Sequence, residues 1–183
     1  MSLVIVLLRH AEKPNPSTGG EAVDAKGRAD TQGLSVRGWQ RAGALAALFG
    51  GRCATARPGM LARPDVMFAA EDPGRSHRPH DTLLPLAELL ELQIRPLPSN
   101  GDQGEAARQL LRCAGTVLVS WRHRELPPLA RALLPEMPQQ VPAVWDERRF
   151  DLFWVIASSR LIVVPQLLLA GDQVAEVGSV VDR

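Results

Sequence analysis

Short apolar runs recur along this chain, separated by stretches of helical periodicity, and this alternation limits the fold more than any other feature. Residues 3–8 read Leu-Val-Ile-Val-Leu-Leu, and comparable runs stand at Asp65–Ala70, Thr116–Ser120, Phe150–Ala157 and Leu161–Val164. None approaches the roughly 20 apolar residues of a membrane-spanning helix. The runs are apolar at nearly every position, the pattern of strands buried on both faces. Ser35 can cap a helix whose apolar face is Trp39, Ala42, Leu45, Ala46 and Phe49, ended by Gly50-Gly51. Pro79 suits the first turn of a second helix through Leu83, Leu86, Leu89 and Leu90, and Pro85 should bend it or shorten its start. Asp102 can cap a third helix carrying Ala106, Ala107, Leu110 and Leu111, and a fourth runs from about Pro127 to Leu134. Strands alternating with helices imply crossover connections, a mostly parallel central sheet and helices on both faces, a three-layer α/β/α sandwich. With no repeat or linker to divide it, residues 1–183 read as one domain.

Charge narrows the partners. The 183 residues carry 21 Lys+Arg against 20 Asp+Glu, a net charge of +1. Only Lys13 and Lys26 are lysine, so nineteen of the cations are arginine, spread along the whole chain. A nucleic-acid partner would demand a net basic domain or a concentrated stripe, and neither is present. Arginine's planar fork suits phosphate and carboxylate, but a coding bias gives the same excess, so only its positions carry meaning. Tyrosine is absent, leaving His, Asp, Glu, Cys and Ser to supply chemistry. Cys53 and Cys113 are too few for a four-sulfur zinc site or a disulfide framework, and reduced thiols are expected. The opening apolar run lacks a basic flank and stops at Arg9-His10 without a small-residue cleavage site, so it is not a signal peptide. The expectation is a cytoplasmic protein with no nucleic-acid or membrane partner.

The segment from Lys13 to Gly33 is polar and lacks apolar periodicity, so it reads as a long loop after the first strand, where parallel sheets bind ligands. Arg9-His10-Ala11-Glu12 opens that loop, setting an anion-binding fork beside an imidazole. With nineteen arginines and four histidines, roughly 0.4 Arg-His pairs are expected by chance. Two occur, Arg9-His10 and Arg122-His123, each just beyond a buried apolar run, which suggests one pocket. A third element, Arg75-Ser76-His77-Arg78-Pro79-His80-Asp81-Thr82, opens the second helix, where free backbone N–H groups and an arginine favour an anion. His77 and His80 could ligate a metal, but no nearby Cys or carboxylate cluster supports this, and a solvated loop is the simpler reading.

At these residues the chain resembles the histidine phosphatase superfamily, the phosphoglycerate mutase-like family, and most closely its small bacterial phosphatase-like branch. The family's first strand ends in Arg-His-Gly-Glu or a close variant, here Arg9-His10-Ala11-Glu12. Its Leu-Thr/Ser-x-x-Gly-x-x-Gln-Ala segment is similar to Leu34–Ala42, and its Arg-x-x-x-Thr helix start to Arg78–Thr82. Its second histidine follows a later strand, here His123 after Val117–Arg122. The match covers most of the chain in order and implies a phosphoglycerate mutase-like α/β/α fold.

The resemblance implies a phosphomonoester hydrolase that needs no metal or other cofactor. Arg9 and Arg78 would clamp the phosphoryl group, whose transfer depends on positioning and electrostatic stabilisation. His10, neutral and in line with phosphorus, would become the phosphohistidine that water hydrolyses. His123, at least partly protonated beside a phosphate dianion, would add charge and donors. Glu12 and Trp121 would line or back the pocket as substrate contacts, a packing role being equally open for Trp121. For the general acid, Glu125 is favoured, with Asp102 or Glu105 as alternatives. Ala11 departs from the family's glycine, and Arg124-Glu125 follow His123 where glycine is frequent. Two other readings stand beside this one: a phospho-ligand binding or regulatory module without turnover, and a phosphomutase, which the short chain disfavours. The partner is a phosphorylated small molecule or a phosphoprotein, its specificity lying in Lys13–Gly33, Asp102–Glu105 and Trp145–Phe153.

Overall fold

The computed structural model describes residues 2–15, 21–51, 61–71, 76–99 and 101–174; Cys53 and Arg75 lie outside them. Along the chain β1 (Val4–Arg9) is followed by β2 (Ala22–Val23), β3 (Leu34–Ser35), α1 (Val36–Gly50), β4 (Val66–Glu71) and α2 (Arg78–Leu90). Then come β5 (Ile94–Pro98), α3 (Gln103–Leu111), β6 (Thr116–Trp121), α4 (Leu126–Leu133), a 3-10 turn at Pro138–Gln140, β7 (Leu152–Ala157) and β8 (Arg160–Pro165).

Six strands form one sheet in the order β5-β4-β6-β1-β7-β8. The pairs β5–β4, β4–β6 and β6–β1 are parallel, while β7 lies antiparallel to β1 and β8 antiparallel to β7. Alternate side chains of each strand go to opposite layers. Val6, Leu8, Met67, Leu118 and Phe153 pack under Leu45 and Phe49 of α1 and Leu83 and Leu86 of α2. Ile5, Leu7, Val117, Val119 and Trp121 pack under Ala106 and Leu110 of α3 and Leu126 and Leu129 of α4. The result is the expected three-layer sandwich. Central strands buried on both faces explain the unbroken apolar runs of β1 and β6.

Three local readings are corrected. Pro85 does not shorten the start of α2, which runs unbroken from Arg78 to Leu90. A proline inside a helix costs roughly 3 kcal/mol, and burial of Leu83, Leu86 and Leu90 outweighs it. Strand β5 had no apolar run to announce it: in Ile94-Arg95-Pro96-Leu97-Pro98 only Leu97 is buried, and an edge strand tolerates proline. The described residues 21–33 of the loop after β1 carry more regular structure than their polarity suggests. Its Ala22–Val23 pairs antiparallel with Leu34–Ser35, and the Asp24 carboxylate accepts from the amides of Lys26 and Arg28. Among the described residues no helix is long and apolar enough to cross a membrane.

Candidate active site

Strands β1 and β6 run in register with Arg9 opposite Trp121, and the His10 amide extends the ladder by donating to the Trp121 carbonyl at 2.9 Å. Both Arg-His pairs therefore leave the sheet at the same carboxyl edge. His10 is buried, and its Nδ1 lies 2.8 Å from the Ala11 carbonyl oxygen. A carbonyl only accepts, so Nδ1 carries the proton and Nε2 holds a free lone pair. Burial pushes the imidazole down to about pKa 3, against the pull of the Ala11 carbonyl and with help from the positive surroundings of Arg9, Arg78 and His123. At neutral pH His10 is an uncharged base.

The arginines come from two directions. Arg9 is buried at the end of β1; its Nη1 donates to the Glu147 carbonyl and its guanidinium lies 3.7 Å from the Phe150 ring centroid. The same ring stands 6.3 Å from the His10 ring. Burial lowers the Arg9 pKa to about 10, opposed by the charges of Glu147, Glu12 and Asp146. Its Nε is buried without a hydrogen-bond partner among the described residues. Arg78 is the first residue of α2, with Nε donating to the Gly33 carbonyl at 2.8 Å and Nη2 to that of Thr31 at 2.9 Å. Burial lowers its pKa as well, against Asp30 and Asp81.

Burial, then Arg9 and Arg124, push His123 down to about pKa 4, so in the free site it is neutral. A bound dianion would draw the proton back.

The segment Leu34–Ala42 acts on the end of β1. The Ser35 hydroxyl accepts from the Gly38 amide and donates to the Glu12 carbonyl at 3.0 Å, and the Ser35 amide donates to the same oxygen. A Cβ at Gly38 would collide with that Glu12 oxygen, so α1 can approach the strand end this closely only with glycine there. Buried Arg41 donates through Nε and Nη2 to the Glu12 carboxylate and through Nη1 and Nη2 to Asp172. Glu12 is thus held behind the strand end by Arg41, with Arg37 3.4 Å away.

Trp121 is fully buried among Leu126, Leu129 and their neighbours, the packing role of the two readings open for it: large apolar area is worth more in the core than at the rim. Glu125 begins α4 and its Oε1 lies 3.6 Å from Arg122. Asp102 caps α3 by accepting from the Glu105 amide, and Glu105 accepts from Arg108 and Gln109. Glu147, by contrast, acts on both Arg9 and His123. Glu147, Phe150 and Arg41 escaped sequence reasoning, which marked Trp145–Phe153 only as a region of specificity. His77, read as part of a solvated loop, is wedged between Asp30 (3.0 Å from Nε2) and Asp81 (2.6 Å from Nδ1), and His80 lies within α2. No cluster of three or more metal-ligating side chains occurs among the described residues.

Solved structures share this fold. A mycobacterial hydrolase, 15% identical, superposes with a TM-score of 0.52 over 89% of this chain and 97% of its own. The chain has the histidine phosphatase fold. A candidate alpha-ribazole-5'-P phosphatase from Escherichia coli, 12% identical, gives a TM-score of 0.52 over 90% of this chain and 96% of its own. No family model and no curated protein sequence matches the chain. In this chain the ends of β1 and β6 and the start of α2 bring Arg9, Arg78 and His123 within electrostatic reach of His10.

Proposed function

We propose that the chain is a phosphomonoester hydrolase that works through a phosphohistidine on His10 without a metal. The observation that carries this reading is the buried, neutral His10, its Nδ1 proton held by the Ala11 carbonyl and its ring within the field of Arg9, Arg78 and His123. Nε2 attacks phosphorus, the N–P bond forms as the bond to the ester oxygen breaks, and that oxygen leaves with a proton. Water then attacks the phosphohistidine, the N–P bond breaks and inorganic phosphate is released. Buried Arg9 and half-buried Arg78 face charge on the equatorial oxygens, and fixed cations act most strongly where water is excluded. Glu147, whose charge reaches Arg9 and His123, is the favoured donor of the leaving group's proton.

Hydrolysis of para-nitrophenyl phosphate should persist in EDTA and disappear in His10→Ala, and acid quench with labelled substrate should trap label on His10. EDTA-sensitive turnover, or full activity in His10→Ala, would overturn the reading. A phospho-ligand binding module without turnover is favoured by one observation, that Arg78 already spends Nε and Nη2 on loop carbonyls. Vanadate binding without turnover of any phosphomonoester would decide for it.

A further inference from the structure

A groove of about 740 Å³ starts at His123 and Glu147 and runs outward over α4 and the segment before β7. Its inner end adjoins the phosphoryl position, because Glu147 holds Arg9 and His123 lies within the field of His10. A second cavity, of about 440 Å³ beside His77 and His80, is lined by none of Arg9, His10, Arg78 and His123. A leaving group therefore finds room on the His123 side. That wall is built of two chemistries. Pro127, Val144 and Trp145 offer apolar surface, and Arg124 and Arg131 offer guanidinium groups. Neither arginine has a carboxylate partner among the described residues; Arg131 reaches only the carbonyls of Pro142 and Ala143, at 3.4 and 3.3 Å. Of the two acids on the same wall, Asp146 is already engaged by Arg148 and Glu147 acts on Arg9. The groove thus presents two arginines without an ion-pair partner among the described residues beside an apolar wall, a combination that selects an amphipathic anion.

We propose that this groove is a leaving-group subsite for phosphomonoesters whose apolar or aromatic body carries a second anionic group, held by Arg124 and Arg131. The inference rests on the phosphoryl site proposed above. It is tested with phenyl phosphate against a set of phenyl phosphates bearing a carboxylate, or a second phosphate, on arms of increasing length. At least one doubly anionic member should exceed phenyl phosphate about tenfold in kcat/KM, and in Arg124→Ala and Arg131→Gln that ratio should fall toward one. Calorimetric titration of the His10→Ala protein with the same compounds reads the same preference as a ratio of Kd values without turnover. Loss of turnover together with an arginine-dependent Kd ratio would remove the hydrolase and leave the subsite standing. Equal Kd values for phenyl phosphate and every doubly anionic member, or a preference unchanged in both arginine variants, would overturn the subsite whatever the turnover.

Discussion

The Thr82 hydroxyl accepts the Ala11 amide proton at 2.8 Å and donates its own to the Arg78 carbonyl at 2.7 Å. One side chain thereby joins the backbone beside the nucleophile to the first turn of the helix that carries the clamp. Thr82→Val keeps the volume and removes both bonds, leaving a buried amide unpaired at a cost of about 1–3 kcal/mol. Urea unfolding should register that loss, and kcat should fall more than KM rises, because the imidazole loses its fixed aim while the arginines stay. Thr82→Ser, which retains the hydroxyl, should restore most of both. A Thr82→Val protein with unchanged stability and kcat would contradict this role.

Acid should destabilise the protein through His10. In the unfolded chain the imidazole binds a proton near pH 6.5, in the folded one near pH 3. Between those values the unfolded state holds more protons, so stability rises with pH. The contribution is intact above pH 6.5 and is lost as the pH falls toward 3, at about 1 kcal/mol per pH unit. Unfolding curves between pH 7 and 4.5 should therefore be steeper in pH for the wild type than for His10→Gln, and parallel pH dependences would exclude His10 as the source.

Arg41 holds two carboxylates from sequence positions far apart, Glu12 and Asp172, with almost no exposure of its own. Its removal leaves both without their main counter-charge, a change that costs about 3–5 kcal/mol at buried pairs. Arg41→Ala should lower the urea midpoint accordingly, and Arg41→Lys should recover only part, since one ammonium cannot serve two carboxylates with paired donors. Full recovery by lysine would reduce the contact to simple charge.

Proton donation separates two glutamates. Glu147→Gln should lower kcat/KM for an alkyl phosphate by about 10²–10⁴ and spare para-nitrophenyl phosphate, whose leaving group departs without a proton. Glu125→Gln should leave the alkyl-to-aryl ratio where it was. The reverse pattern would return the role to Glu125.

The strands and helices were legible because each obeys one dominant force. Unbroken apolar runs gave β1, β4 and β6, and Ser35 and Asp102 cap the helices their positions suggested. What stayed hidden depends on forces from elsewhere in the chain. Edge strand β5 is held by a neighbour's backbone rather than by its own apolar content. Pro85 sits in a helix only because packing overrides propensity. In the site, His10, Arg9, Arg78 and His123 could be named from motifs, but the neutral state of His123 and the partners of Glu125 and Glu147 follow from burial and cross-chain proximity, which local patterns do not encode.

Because β1 and β6 are registered residue by residue up to Arg9 and Trp121, the sheet works as a ruler for the two imidazoles. The lateral spacing of neighbouring strands is about 4.8 Å and each residue advances a strand about 3.3 Å. Lengthening β6 by one residue would therefore shift His123 by one division and turn it to the opposite layer. Divergence among proteins of this fold should accumulate freely in helix lengths and loops, while the count of residues between the start of each central strand and its histidine stays fixed.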